Sequence, residues 1–292
     1  LSVGVIFLLG SVVGGPVIGL LTALLYGFNP LVISAGLHAY SEALFLLLFN
    51  LGLYLLITFF QQKKYSKMRI VILGIVFGLC FSTKLVGIML LCFYVLFEFV
   101  FLLYKKPTRI AQFLPQFTRA SIISILTLII FIALNPFTYS NPIVKISKMF
   151  EWRSKVVSDQ YPFDAHQIPD SFISRVTNVY WNYYGTVRSA DFTTRLPFFS
   201  NTSVLYVALF SLGIIFLVVN YLHKKTDRKI IGLFVTIFIL LQFFAGIYLK
   251  LNYQRYFVHF VFFFNFIQVY GLYHSLRLLW RKLVAHRRVS TS

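Results

Sequence analysis

Apolar residues run through this chain in long blocks, and short polar stretches cut the blocks at intervals. Residues 1–28 form the first block, broken by Gly14-Gly15-Pro16. Proline is tolerated at a helix start and disfavoured inside one. The break therefore predicts one helix over 1–12 and a fresh one from 15 to 28, closed by Asn29-Pro30. A short segment from Leu31 to Ser41 leads to Glu42, and a long helix is expected over 43–60. The next apolar stretch, 70–104, is too long for a single crossing, which takes about 20 residues. Its polar break, Ser82-Thr83-Lys84, lies near the midpoint and predicts two short helices joined by a turn. A span over 120–135 then runs to Asn135-Pro136. Spans over 202–222, 230–248 and 256–276 complete the series.

This pattern predicts an all-α integral membrane fold, a polytopic bundle of about eight or nine transmembrane helices, some of them short. One extracytoplasmic loop subdomain interrupts it. The expected divisions are N-terminal membrane helices over 1–135, the loop over 136–200, and C-terminal membrane helices with a basic tail over 201–292. Composition agrees: 59% of residues are hydrophobic, 12% are charged, and the mean hydropathy is +0.80. A soluble domain does not carry recurrent apolar runs of this length.

Charge gives the bundle a direction. Four clusters hold 17 of the 27 Lys and Arg residues. They are Lys63/Lys64/Lys67/Arg69, Lys105/Lys106/Arg109/Arg119, Lys224/Lys225/Arg228/Lys229 and Arg277/Arg281/Lys282/Arg287/Arg288. Basic residues flanking membrane spans stay on the cytoplasmic side. With all four clusters inside, Glu42, Lys84, the 136–200 loop and Arg255 fall outside without contradiction. The net charge of +19 is not read as nucleic-acid binding, because the basic residues sit at the ends of apolar spans and not on one polar face. Membrane lipids, through anionic headgroups, are the expected partners of the clusters. Cys80 and Cys92 both lie in apolar runs and offer neither a disulfide pattern nor metal-ligand spacing.

The loop over 136–200 carries Glu151, Asp159, Asp164, Asp170 and Asp191 among seven basic residues, with Trp152, Tyr161, Tyr180, Trp181, Tyr183 and Tyr184. Such aromatics favour the headgroup level, so interfacial helices are expected here. The sequence Asn201-Thr202-Ser203 fits a glycosylation acceptor on the outer side.

Candidate chemistry gathers at the outer rim. His38, Tyr40, Ser41 and Glu42 open a helix that descends into the membrane. Glu42 reads either as an acid stabilised by the helix N-terminus, or as a carboxylate that binds a metal, a sugar hydroxyl or a cation. Lys84 is the only Lys or Arg between Ile70 and Tyr104. A lone cation in such a stretch snorkels, faces a cavity or finds a partner, and the functional reading is a phosphate clamp. Arg255, followed by Tyr256, stands at the mouth of the last span, either as an interfacial anchor or as a bidentate anion contact. Glu98 reads as a partnered or snorkelling acid and His259 as a core histidine. One acid, one Lys and one Arg at a rim suit a substrate that is lipid-like at one end and a phosphate at the other, since cations stabilise a phosphate leaving group.

These residues resemble a known family. Asn29-Pro30, His38-Ala39-Tyr40-Ser41-Glu42-Ala43-Leu44-Phe45, the stretch GIVFGLCFSTK from Gly74 to Lys84, Asn135-Pro136-Phe137 with Tyr139, Asn141-Pro142, Arg153, and Arg255-Tyr256 resemble the GT-C superfamily of membrane glycosyltransferases. The likeness is to the protein O-mannosyltransferase and aminoarabinose-transferase branch. The resemblance implies inverting transfer of a sugar from a polyprenyl-phosphate donor to an extracytoplasmic acceptor. It also implies that Lys84 contacts the carrier phosphate, Arg255 assists, and Glu42, with His38 and Tyr256 nearby, helps organise the donor site or a divalent metal. No cofactor is otherwise called for, and no nucleic acid. The family's catalytic acid lies in a loop upstream of the Asn-Pro segment, whereas Leu1 to Val13 reads as the tail of a second span. The expectation is a piece of a longer enzyme, inactive as it stands, with its base upstream of Leu1. The expected location is a prokaryotic plasma membrane with the active face outward. A polysaccharide polymerase or ligase, and a transporter or flippase, are the competing readings; internal repeats and helices broken at midplane would mark the transporter.

Overall fold

The computed structural model describes residues 1–37, 41–62, 66–105, 113–160, 171–173, 203–222, 259 and 261–290. Among them every regular element is helical: α1 (Ser2–Gly14), α2 (Pro16–Gly27), α3 (Pro30–Leu37), α4 (Ser41–Phe60), α5 (Lys67–Thr83), α6 (Ile88–Lys105), α7 (Leu114–Leu134), α8 (Pro142–Gln160), α9 (Ser203–Leu222) and α10 (Val261–Ser290). The expected all-α class is observed. Two of these segments, Glu42–Phe60 and Leu114–Leu134, are long and apolar enough to cross a membrane. Shorter apolar helices lie at Ser2–Gly14, Pro16–Gly27, Leu85–Val100 and Ala208–Val219. The expected span over 230–248 falls outside the described residues.

Helix α4 is the axis of the core. Phe45, Phe49, Leu53, Leu56 and Phe60 recur every three or four residues and are buried, as a helix face packed against neighbours requires. They meet Leu73, Phe77 and Cys80 of α5, Leu90, Phe93, Tyr94 and Phe97 of α6, and Phe262, Phe263 and Phe266 of α10 in one continuous cluster. Helices α1 and α2 form an antiparallel hairpin about Gly15, whose φ of 97° is the left-handed conformation that glycine adopts without penalty. Across it a side chain on Gly10 would come 2.9 Å from the Gly19 backbone. The hairpin leans on α4, where Asn50 Nδ2 donates to Tyr26 Oη at 3.1 Å.

The break at Lys84 is real. Helix α5 stops at Thr83, Lys84 is extended (φ −150°, ψ 138°), and a 3-10 turn at Leu85–Gly87 leads into α6. Gly87 lies against the backbone of Cys80, and Phe77 meets Tyr94 with ring centroids 6.4 Å apart, so α5 and α6 run antiparallel. Helix α7 lies parallel to α5. Gly74 faces Leu126, Gly78 faces Ile130, and Phe81 stacks on Phe131 at 3.9 Å. Glycines four apart let two helices approach closely, the packing mode expected where lipid supplies no hydrophobic drive between helices. Parallel α9 and α10 repeat the device with Gly213 facing Ile267, and Phe210 stacks on Phe264 at 5.1 Å.

These pairings fix which helix ends lie together. Glu42, Lys84, the end of α7 at Leu134, the start of α9 and His259 share one end of the bundle. Phe60, the start of α5, the end of α6, the start of α7 and the end of α10 share the other, with the basic clusters adjoining it in sequence. One member of those clusters departs from expectation. Arg119 is not a free surface cation but packs inward against Glu98, at 3.2 Å.

Candidate functional site

Glu42 enters the site as the second residue of α4, in its acid-favouring first turn. Lys84 enters as the extended residue at the tip of the α5–α6 hairpin. Although 42 positions apart in sequence, they meet: Lys84 Nζ donates to Glu42 Oε1 at 2.9 Å. The lysine side chain is 24% exposed and the glutamate 11%. Neither therefore stands in bulk water, and each lowers the cost of burying the other's charge. Lys84 Nζ also sits over the ring of Phe45, 5.6 Å from its centroid, within cation–π range.

Phe45 belongs to the same stripe as Glu42. Residues 42, 45 and 49 lie three and four apart, so one helix face carries the acid and then two rings. Buried His259 closes the site from the other side. Its ring meets Phe45 edge-on at 6.3 Å and Phe49 at 6.0 Å. The constellation is thus a partly open ion pair on an aromatic floor, with a histidine at the floor's edge. An ammonium held this way can exchange a carboxylate partner for a phosphate oxygen without moving far, since both are charge-assisted acceptors.

The structure brings together Glu42 and Lys84, which the sequence singled out separately. It adds Phe45 and Phe49, whose signal was their spacing from Glu42. It also sets His259 beside the site: the residue is buried as a core histidine would be, yet it touches Phe45, the ring beneath the Lys84 ammonium. His38, Arg255 and Tyr256 lie outside the described residues, as do Tyr40 and most of the loop after Gln160. No cluster of three or more His, Cys, Asp or Glu that could hold a metal occurs among the described residues.

Glu98 has a partner, the first of the two readings its sequence context allows. It accepts from Tyr94 Oη at 3.0 Å and from Arg119 Nη2 at 3.2 Å, and is itself buried. This network ties α6 to α7 toward the basic end, away from Lys84. In the 136–200 segment, α8 is an exposed, amphipathic helix. Ile146, Met149, Arg153 and Val156 form its more covered face, while Lys145, Lys148, Glu151, Trp152 and Lys155 are exposed. Asn141 Oδ1 accepts from Val144 N at 3.4 Å at its start.

Compared with family models, with curated proteins and with solved structures, the chain matches none of them.

Proposed function

We propose that this chain is a polytopic membrane protein whose outward end binds the phosphate of a lipid-linked sugar, as part of a glycosyltransferase of the GT-C kind. The observation that carries this reading is the Glu42–Lys84 pair: an acid from a helix start and a cation from a hairpin tip, joined at 2.9 Å at the end of the bundle remote from the basic clusters. A carboxylate–ammonium pair held largely out of water is a costly structural ornament. Its retention at a rim is accounted for if the ammonium serves a second, anionic partner. Sugar transfer from a polyprenyl phosphate releases such an anion, and Lys84 would stabilise the charge as it grows on the leaving phosphate. In this reading Glu42 holds Lys84 in place before the donor arrives and then faces the sugar. Arg255 and Tyr256 precede His259 by four and three residues in sequence, and the acceptor base is left unassigned.

Donor binding tests the reading without requiring turnover. The purified chain in nanodiscs would be titrated with a fluorescent polyprenyl phosphate. A charge-assisted hydrogen bond contributes about 1.5–3 kcal/mol, so Lys84→Ala should weaken binding by about ten- to a hundredfold. Glu42→Gln removes the carboxylate that competes with the phosphate for the Lys84 ammonium and should tighten it. Unchanged affinity in Lys84→Ala would remove the clamp assignment.

A further inference from the structure

The last helix changes character at Gly271. From Val261 to Gly271 every residue of α10 is buried against α2, α4 and α9. From Leu272 onward the helix continues unbroken to Ser290; Tyr273 and His274 still pack inward, His274 against Phe216 and Tyr270, but from Leu276 to Leu283 every residue is exposed. Leu272, Leu276, Leu279 and Leu283 are all exposed, the last three more than half so, and Trp280 is 69% exposed. Their spacing of four, three and four residues puts the leucines on one stripe, with Trp280 at its edge. Arg277 and Arg281, four apart, lie on the face turned away from the leucines, and Lys282 flanks the stripe on the side opposite Trp280; all three are exposed. No Asp or Glu occurs anywhere in 261–292.

Two occupants could cover a leucine stripe of this length: a second copy or a lipid leaflet. Charge separates them. In a parallel pair joined along the leucines, Lys282 of one copy would flank Arg287 of the other, so like charges would meet where a coiled coil places its salt bridges. With no acid on the helix, no shift of register supplies a counter-ion. An anionic bilayer surface offers both things the helix lacks: acyl chains for the leucines, and phosphates for the arginines and the lysine. An indole favours that same headgroup level.

We infer that the C-terminal half of α10 is an anionic-phospholipid binding element, with Leu272, Leu276, Leu279 and Leu283 among the acyl chains and Arg277, Arg281 and Lys282 on lipid phosphates. It enriches such lipids around the basic end of the bundle. The inference rests on the membrane reading of the chain and is independent of sugar transfer.

Trp280 is the built-in probe. In a Trp152→Phe/Trp181→Phe chain, the remaining indole would be measured in nanodiscs of phosphatidylcholine containing a small fraction of brominated lipid. The brominated lipid is either phosphatidylglycerol or phosphatidylcholine, at equal mole fraction. Each basic residue near an anionic surface favours it by about fivefold, so brominated phosphatidylglycerol should quench more strongly, by at least about that factor in apparent occupancy. Arg277→Gln/Arg281→Gln/Lys282→Gln should bring the two lipids level. Arg277→Lys/Arg281→Lys, which keeps the charge, should retain the preference. These substitutions lie on the exposed half of the helix and leave its buried half intact. Equal quenching by both lipids in the unsubstituted basic sequence would overturn the inference. Absence of quenching by either, with Leu276→Cys cross-linking between copies, would assign the stripe to a second copy and overturn the membrane reading beneath it.

Discussion

At the scale of single residues, the described residues hold two ion pairs with different physical duties. Glu42–Lys84 is partly open, at the tip of a hairpin. Glu98–Arg119 is closed, with side chains 5% and 12% exposed, and Tyr94 donates a third bond to the same carboxylate. The closed pair holds α6 on α7, and its energetics can be separated by substitution. Glu98→Gln leaves the guanidinium without its counter-charge in a buried place, a change that costs about 3–5 kcal/mol. Adding Arg119→Met removes the orphaned cation, while the amide oxygen introduced at position 98 still accepts from the Tyr94 hydroxyl. The double variant should therefore recover most of the loss, since neutral replacement of a buried pair is often close to cost-free. Denaturant or thermal unfolding in detergent micelles reads this directly. A double variant no more stable than Glu98→Gln alone would show that the pair is not what couples the two helices. Sequence context leaves Glu98 either partnered or snorkelling and names no partner. Arg119 sits in a basic cluster by position, and only the antiparallel approach of α6 and α7 turns it inward.

At the scale of elements, the physics of breaks was legible and the physics of starts was misread. The 35-residue stretch 70–104 is too long for a single crossing and its polar break, Ser82-Thr83-Lys84, marks a turn near the midpoint; the structure breaks there. The Gly14-Gly15-Pro16 boundary is equally clear. Asn29-Pro30 reads as a stop, and α2 does end nearby, but the pair also begins α3: Asn29 Oδ1 accepts from Leu31 N at 3.0 Å, and proline occupies the first helical position. Asn141-Pro142 starts α8 the same way. Helix α3 escaped sequence reading because it is eight residues long and too short to show a period. The glycines of GIVFGLCFSTK carry a family resemblance in sequence, while in the fold they have a local task, to let α7 lie on α5. A methyl group on Gly78 would fall 2.6 Å from Ile130 Cβ and 2.9 Å from the Thr127 carbonyl oxygen. Backbone cannot yield as a side-chain tip can, so Gly78→Ala should cost about 1–3 kcal/mol by overpacking. Gly36→Ala is the contrasting case. Nothing lies within 4 Å of a side chain there, and the change should stabilise α3 by a few tenths to about 1 kcal/mol. Equal effects of the two in the same unfolding measurement would contradict close α5–α7 packing.

At the scale of the whole molecule, sidedness follows from which helix ends lie together. The sequence arranges charge so that alternate polar stretches are basic, and helix pairing independently gathers the ends next to those stretches on one side. Glu42, Lys84 and His259 gather at the other, and α8 follows the end of α7 that lies with them. The link between Leu134 and Pro142 is seven residues and partly folded into a 3-10 turn, so it cannot carry α8 across a hydrocarbon layer of about 30 Å. If α7 spans the bilayer, α8 must stand on the face opposite Ser66, which precedes α5 at the basic end. Both Ser147 and Ser66 are exposed, so cysteine at each position reports sidedness. In cells expressing the chain with Cys92 replaced by alanine, Ser147→Cys should react with a membrane-impermeant maleimide before permeabilisation, and Ser66→Cys only after it. Buried Cys80 should stay silent in both. The opposite order would invert the bundle, set the Glu42–Lys84 pair facing the cytosol, and remove the donor-binding proposal together with its outward-facing acceptor. Labelling of both sites in intact cells would mean that α7 does not separate two compartments, and the apolar face formed by Ile122, Ile125 and Ile129 would then need a protein partner in place of lipid.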